Sequence, residues 1–302
     1  MALQIEGRIL RGLGGLYEIF GCDGKSYLCR AKGALKRDEN RAVVGDRVML
    51  RVGEGEGDLV IESILPRKNS LIRPLMANLD LVFLTVAAAS PAPSTATLDK
   101  MTAILTHNGI ECVVCVTKAD LSPETAKELS EIYTRAGFAV FTLSSVSGEG
   151  IDLFRAYIEK RLVSGCIAAF AGASGIGKST LMNRLFPDLS LETGEVSEKT
   201  LRGRHTTRAV ELFPLLEGYL ADTPGFTMLD FTRFDFMSLD ELPLAFPEFR
   251  SRLGCCRYTD CTHTKEAECG VTEAVRCGEI PESRHKSFLM LYEELKKKNP
   301  YG

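Results

Sequence analysis

The sequence predicts a multidomain α/β protein: a small N-terminal β-barrel, a central α/β domain of the phosphate-loop type, and a mainly α C-terminal segment built round a metal site. Three observations predict it. Short alternating stretches separated by glycine turns fill residues 4–64. Continuous apolar stretches alternate with helical ones from residue 79 onward. Half of the ten cysteines fall within residues 255–277. At about 150 residues per domain, 302 residues suggest about two domains, or three small ones.

Composition narrows the class. Hydrophobic residues make up 45% and charged residues 25%, which is ordinary globular usage and excludes disordered and fibrous chains. The longest apolar run, residues 79–89, contains Asp80 and is too short and too polar to span a bilayer. Residues 1–12 carry charges where a signal peptide needs an apolar stretch. A cytoplasmic protein with no membrane partner is expected. Net charge is 37 − 40 = −3, so any nucleic-acid contact has to come from local patches. Without an export signal, clustered cysteines point to a metal rather than to disulfides.

Residues 1–68 form the first predicted domain. Alternating stretches at 4–10, 16–20, 26–30, 46–52 and 58–64 are divided by Gly14-Gly15, Asp23-Gly24 and the glycines of 53–57. Five such strands suggest a small barrel of the OB type, a fold that binds nucleic acid through one face and its loops. Residues 30–41 carry five cations (Arg30, Lys32, Lys36, Arg37, Arg41) against Asp38 and Glu39. They suit RNA phosphates; the alternative is a solvated loop. Residues 66–74, bounded by prolines, read as a linker.

Residues 75–230 form the second. Strands are expected at 79–88, 111–116, 138–143, 166–171 and 218–221, and helices at 98–107, 123–136 and 151–162. Continuous apolar strands imply a parallel sheet covered on both faces. The strand at 166–171 runs into Gly172-Ala173-Ser174-Gly175-Ile176-Gly177-Lys178-Ser179, followed by Thr180. This fits G-x-x-x-x-G-K-[ST], which arises by chance in about 1% of chains this long. Glycines let the backbone curl so that its N–H groups face phosphates, Lys178 reaches the β- and γ-phosphates, and the Ser179 hydroxyl ligates Mg²⁺.

Base choice follows from two loops. Thr117-Lys118-Ala119-Asp120 ends a strand and matches [NT]-K-x-D; its carboxylate accepts two hydrogen bonds from N1 and N2 of guanine, a donor pair adenine lacks. Ser144-Ser145, after the next strand, matches the loop whose backbone N–H meets guanine O6. Asp222-Thr223-Pro224-Gly225 matches D-x-x-G. Its Asp222 holds Mg²⁺ through water and its Gly225 N–H meets the γ-phosphate. The order is permuted: Asp120 and Ser144 precede Gly172. A sheet tolerates this, because strand neighbours depend on pairing rather than on chain order.

Residues 231–302 form the third domain. Cys256-x4-Cys261-x-His263-x5-Cys269 supplies three thiolates and one imidazole, enough to close a tetrahedral zinc site with no open position, so one structural zinc is expected. Cys255 and Cys277 are possible substitutes. Residues 250–277 hold too few large apolar side chains to cohere alone. A helix over about 281–298 ends in Lys296-Lys297-Lys298, which favour the helix dipole.

These motifs, with Gly45-Asp46-Arg47-Val48 and Gly203-Arg204-His205-Thr206-Thr207-Arg208, resemble the circularly permuted, ribosome-small-subunit-dependent GTPase A (RsgA) family over nearly the whole chain. The resemblance implies a GTP hydrolase, converting GTP to GDP and phosphate, that acts late in maturation of the small (30S) ribosomal subunit. It implies rRNA contact through the flanking domains, Mg²⁺ with GTP, and a monomer. The segment before Asp222 is then the first switch. Thr206 or Thr207 ligates Mg²⁺; spacing does not choose, and the resemblance favours Thr207. Phe226 stands where many GTPases place a water-orienting Gln, so His205 is the candidate catalytic residue beside Thr207 and Lys178, or else a structural or RNA-contacting histidine. The competing functions are a GTP-controlled RNA-binding switch with incidental hydrolysis, and a P-loop kinase, against which Asp120 speaks.

Overall fold

The computed structural model describes residues 4–36, 41–52, 59–187, 210–222 and 236–298. The chain forms two compact units, one of Met1–Leu81, Glu159–Phe170 and Arg204–Phe226, the other of Val82–Ile158, Ala171–Gly203 and Thr227–Gly302.

The first unit holds the barrel. Its strands are β1 (Gln4–Leu13), β2 (Leu16–Gly21), β3 (Ser26–Ala31), β4 (Arg47–Val52) and β5 (Leu59–Ile64). They pair in the closed order β1-β2-β3-β5-β4-β1, with only β3 and β5 parallel. Alternation sends Ile9, Ile19, Cys29, Val48, Leu50 and Ile61 inward. Closure leaves no unpaired edge among these five, as the alternating pattern requires of a barrel this small.

The expected linker at 66–74 is instead part of the fold. β6 (Ser70–Leu71) pairs with β7 (Met76–Ala77) in an antiparallel ladder. Asn78 Oδ1 accepts from the Lys68 N–H, and Asn69 Nδ2 donates to the Leu79 carbonyl. Asparagine amides here replace the apolar periodicity that would mark a strand. The Gly45-Asp46 motif sits against this hairpin. Gly45 has φ +89°, and a Cβ there would lie 2.1 Å from the Ala77 carbonyl oxygen. Buried Asp46 receives Arg67 Nε at 2.7 Å and Arg67 Nη2 at 2.8 Å, a two-pronged pair that needs arginine's planar fork.

The same unit contains β12 (Glu211–Leu215), β13 (Gly218–Asp222) and all but the last residue of β11 (Ile167–Ala171). β11 and β13 run parallel, β12 and β13 antiparallel, and β12 meets β1 where Arg11 faces Glu211. Asp80 caps β11, accepting the Ile167 N–H on Oδ2 and donating its own N–H to the Ile167 carbonyl, both at 2.9 Å.

The second unit has β8 (Leu81–Ala87), β9 (Glu111–Thr117) and β10 (Ala139–Thr142), with β9 and β10 parallel. Its helices are α1 (Thr95–His107), α2 (Pro123–Arg135), α3 (Ile151–Arg161), α4 (Lys178–Leu185), α5 (Gly270–Arg276) and α6 (Glu282–Lys298). Every residue of β8 is buried, as a strand covered on both faces must be. α3 lies on one face: Phe154 packs edge-on against Phe83 of β8 at 5.1 Å and beside Phe141 of β10 at 4.9 Å. α1 begins three residues earlier than the apolar pattern alone suggests, because the Ser94 hydroxyl accepts the Thr97 N–H and caps it.

The C-terminal region is mainly helical. Phe288 of α6 packs against Phe246 and Phe249, at 5.4 and 5.0 Å, from the short turns before the cysteine cluster. α5, within residues 250–277, is an element the sequence pattern did not announce. No helix among the described residues is long and apolar enough to cross a membrane.

Candidate nucleotide site and metal centre

β11 delivers the chain to Gly172, and the loop of 172–177 feeds α4. Gly172 has φ +140°. A Cβ there would stand 2.4 Å from the Thr85 carbonyl oxygen and 2.5 Å from Ile176 Cδ1, so only glycine fits. Lys178 opens α4, and its ammonium donates to the Gly172 and Ala173 carbonyls, each at 2.6 Å. Burial holds its pKa below the usual lysine value. Ala173, Ser174 and Gly175 are exposed at the crown, as are Ser179 and Thr180 in the first turn of α4. A helix start with a glycine-rich approach concentrates backbone N–H donors and positive dipole at one point, the arrangement that holds phosphate.

The guanine-type loops come to the same place. Lys118 adopts a left-handed conformation, φ 55°, at the end of β9. Its Nζ donates to the Gly175 carbonyl at 2.8 Å and to the Ser90 carbonyl at 2.5 Å. Thr117 Oγ1 lies 2.6 Å from the Ile176 carbonyl oxygen. Asp120 is exposed and Ala119 buried; the Ala119 N–H donates to the Leu143 carbonyl, joining this loop to the one after β10. In that second loop the buried Ser144 hydroxyl accepts the Val146 and Ser147 N–H groups, closing a tight turn, while Ser145 is half-buried. The structure thus ties Thr117 and Lys118 to the loop of 172–178 by hydrogen bonds, and ties Ala119 to Leu143, the residue before Ser144.

Asp222 ends β13, in the register that sets Ala169 opposite Ala221. Of the expected Mg²⁺ ligands, Ser179 lies in the first turn of α4, where its exposed hydroxyl suits a hard cation beside phosphate. Thr207 lies outside the described residues, as do His205, Thr206 and Gly225. Of the basic stretch in the barrel domain, Arg30 and Arg41 are exposed and Lys32 pairs with Glu62 at 3.3 Å.

The candidate metal cluster is compact. The ligand atoms of Cys256, Cys261, His263 and Cys269 all lie within 4.8 Å of one another. Cys256 Sγ is 3.8 Å from Cys269 Sγ and 3.5 Å from His263 Nδ1; His263 Nδ1 is 3.4 Å from Cys269 Sγ. A tetrahedral zinc with bonds of about 2.3 Å to sulfur and 2.0–2.1 Å to nitrogen separates its ligands by about 3.5–3.8 Å, so the donors fit. Cys256 belongs to the cluster, whereas Cys255 and Cys277 are exposed outside it. Further supports carry no sequence signature. The Gly270 N–H donates to Cys256 Sγ, and His285 Nε2 donates to the His263 carbonyl at 2.9 Å. Glu266 accepts the Thr262 and Thr264 N–H groups and the Thr262 hydroxyl. Burial alone would raise its pKa, but these bonds hold it at about 2.

Comparison with known proteins decides the family. A family model described as RsgA GTPase matches residues 64–232, and one described as RsgA N-terminal domain matches residues 6–58. The chain belongs to the RsgA GTPase family. It is a GTP hydrolase of the circularly permuted kind, with an OB-like barrel at its N-terminus. A Listeria monocytogenes protein named small ribosomal subunit biogenesis GTPase RsgA 2 is 38% identical over 98% of this chain and 99% of its own. An RsgA of the same description from Carboxydothermus hydrogenoformans is 40% identical over 96% and 98%. Among solved structures, YjeQ from Thermotoga maritima superposes with a TM-score of 0.78 at 33% identity, covering 97% of this chain and 99% of that one. YloQ, titled a circularly permuted GTPase, gives 0.78 at 30% identity over 99% and 98%. Membership in the RsgA family rules out the kinase alternative.

Proposed function

We propose that this chain hydrolyses GTP as a late maturation factor of the small ribosomal subunit, working in the cytoplasm as a monomer. The observation that carries the nucleotide half is the tethering of the guanine-type loop to the phosphate loop by Thr117 and Lys118, a coupling that a chance four-residue match would not have. The ribosomal half rests on relatives named for small-subunit biogenesis that match this chain end to end.

In this reading residues 1–68 are an rRNA-binding barrel, 75–230 the GTPase and 231–302 a zinc-held helical domain. Asp120 reads guanine, the Ser144-Ser145 loop offers a backbone N–H to O6, and 172–180 hold the phosphates. Ser179, Thr207 and Asp222 hold Mg²⁺, which neutralises charge on the β- and γ-phosphate oxygens. Lys178 gives up its two carbonyl partners to the β- and γ-phosphates. His205 orients the attacking water that Phe226 cannot. The metal held by Cys256, Cys261, His263 and Cys269 is one structural zinc, since four protein ligands leave no position for substrate.

The deciding experiment is the GTPase rate with and without purified small subunits. Stimulation of tenfold or more supports the reading. A slow rate that no subunit or rRNA accelerates favours a GTP-controlled RNA-binding switch, which Phe226 after D-x-x-G would also suit.

A further inference from the structure

We infer that Thr85 is a positioning residue of the phosphate loop, fixing the direction in which the loop's first peptide faces. The inference rests on the guanine-nucleotide reading above and deepens it.

In a trans peptide the carbonyl of one residue and the N–H of the next point in opposite directions. Tying a carbonyl to the protein therefore aims the following N–H away from it. Three carbonyls at the phosphate loop, those of Ala171, Gly175 and Ile176, are tied in this way by side chains of β8 and of the end of β9 and the residue after it. Thr85 Oγ1 of β8 donates to the Ala171 carbonyl at 2.7 Å, which turns the Gly172 N–H outward. Lys118 Nζ holds the Gly175 carbonyl and so turns out the Ile176 N–H. Thr117 Oγ1 holds the Ile176 carbonyl and so turns out the Gly177 N–H. The last two tethers come from the guanine-reading loop. The first comes from a strand to which no motif assigns a role.

The setting of Thr85 argues that the hydroxyl is there for this bond. β8 reads LVFLTVA and is buried throughout, and Thr85 is its one polar residue, 3% exposed. Valine would fill the same volume with better apolar burial. A buried hydroxyl is retained only where it finds a partner. Its contact with the loop is also steric, since a Cβ on Gly172 would come within 2.5 Å of Thr85 Oγ1. Residues 85 and 172 therefore define together how the chain enters the loop that, in the reading above, holds a nucleoside di- or triphosphate.

The test compares Thr85→Val and Thr85→Ser with the wild type in three measurements: GDP and GTP affinity by titration calorimetry, the ³¹P chemical shift of bound GDP, and nucleotide-free melting. Expected for Thr85→Val is a loss of about tenfold in affinity for both nucleotides, the scale of one hydrogen bond. The β-phosphate resonance should be displaced, melting without nucleotide unchanged within about 2 °C, and preference for GDP over xanthosine diphosphate kept. Thr85→Ser, which keeps the donor, should return affinity to within about threefold of wild type. Unchanged affinity in Thr85→Val, a loss that Ser does not restore, or a loss matched by a fall in nucleotide-free melting would each overturn the inference. Failure of the wild type to bind GDP would instead remove the guanine-nucleotide reading itself.

Discussion

Arg284 of α6 and Asp99 of α1 form an ion pair, Nη1 to Oδ1 at 2.5 Å, with side-chain exposures of 0% and 1%. The same guanidinium donates to Glu248 Oε1 at 2.6 Å and to Thr102 Oγ1 at 2.9 Å, and lies over the Phe246 ring at 4.8 Å. The Tyr133 hydroxyl of α2 donates to the same Asp99 oxygen. Burial alone would lower the Arg284 pKa, but Asp99 and Glu248 outweigh it and keep the group charged. The helix that follows the Cys/His cluster is thus tied to α1 and, through Asp99, to α2. Removing one partner of a buried pair costs about 3–5 kcal/mol, because the other charge is left unpaired. Arg284→Met should lower the unfolding free energy by about that much in urea titration. Arg284→Lys should recover little, since one ammonium cannot serve Asp99 and Glu248 as a planar fork does. A loss under about 1 kcal/mol would show the network to be dispensable.

Asp120 carries the prediction for base choice. Asp120→Asn exchanges an acceptor for a donor, so preference should move from guanine to xanthine nucleotides, with thermal stability unchanged because Asp120 is exposed. Competition binding with GDP and xanthosine diphosphate measures this. Equal guanine selectivity in the variant would remove Asp120 from the base site.

Zinc removal and thiol footprinting give a joint prediction. Binding energy of such sites is largely folding energy, so chelation or Cys261→Ser should unfold residues near 250–280 and leave GDP binding intact. Burial pushes the Cys29 thiol to about 11 and the Cys112 thiol to about 12, and raises that of Cys115 as well. A raised pKa leaves the unreactive thiol form at neutral pH. Iodoacetamide at pH 7.5 should therefore modify exposed Cys22 and Cys255 first. Cys256, Cys261 and Cys269 should follow only after chelation, and Cys29, Cys112 and Cys115 only on global unfolding. Mass spectrometry of the labelled peptides reads the order, and early labelling of Cys256 in metal-loaded protein would contradict the ligand assignment.

His205 carries the prediction for turnover. His205→Ala should lose most of the subunit-stimulated GTPase rate while keeping GTP affinity and subunit binding. Lys178→Ala should weaken nucleotide binding itself. Full stimulated turnover in His205→Ala would return His205 to a structural role.

Phosphate and guanine chemistry call for residue types at fixed spacing, so the motifs at 172–179 and 117–120 can be read in one sequence, and the clustering of Cys256, Cys261, His263 and Cys269 likewise. Strand patterns place the barrel and the parallel pairs. What stays hidden is chemistry between distant residues. Nothing local ties Arg284 to Asp99, 185 positions away, or marks Thr85 as more than a polar interruption of an apolar strand. β12 carries no strand signature because Pro214 breaks its pattern. The hairpin at 70–77 was hidden because asparagine side chains, not apolar alternation, organise it. Between Cys255 and Cys256 adjacency left a choice that packing decides.

The pairing of β1 with β12 at Arg11 and Glu211 means that the barrel cannot be detached as a bead from a string. β12 has β13 on one side and the barrel's own first strand on the other. A shortened protein starting at residue 69 would strip that second neighbour at Glu211 and leave β12 as an edge strand, a template for edge-to-edge self-association. Loss of solubility in such a truncation would then report a missing lateral partner, not a missing RNA contact, and genetic removal of the barrel would confound the two unless the exposed rim of β12 were first blunted with charge.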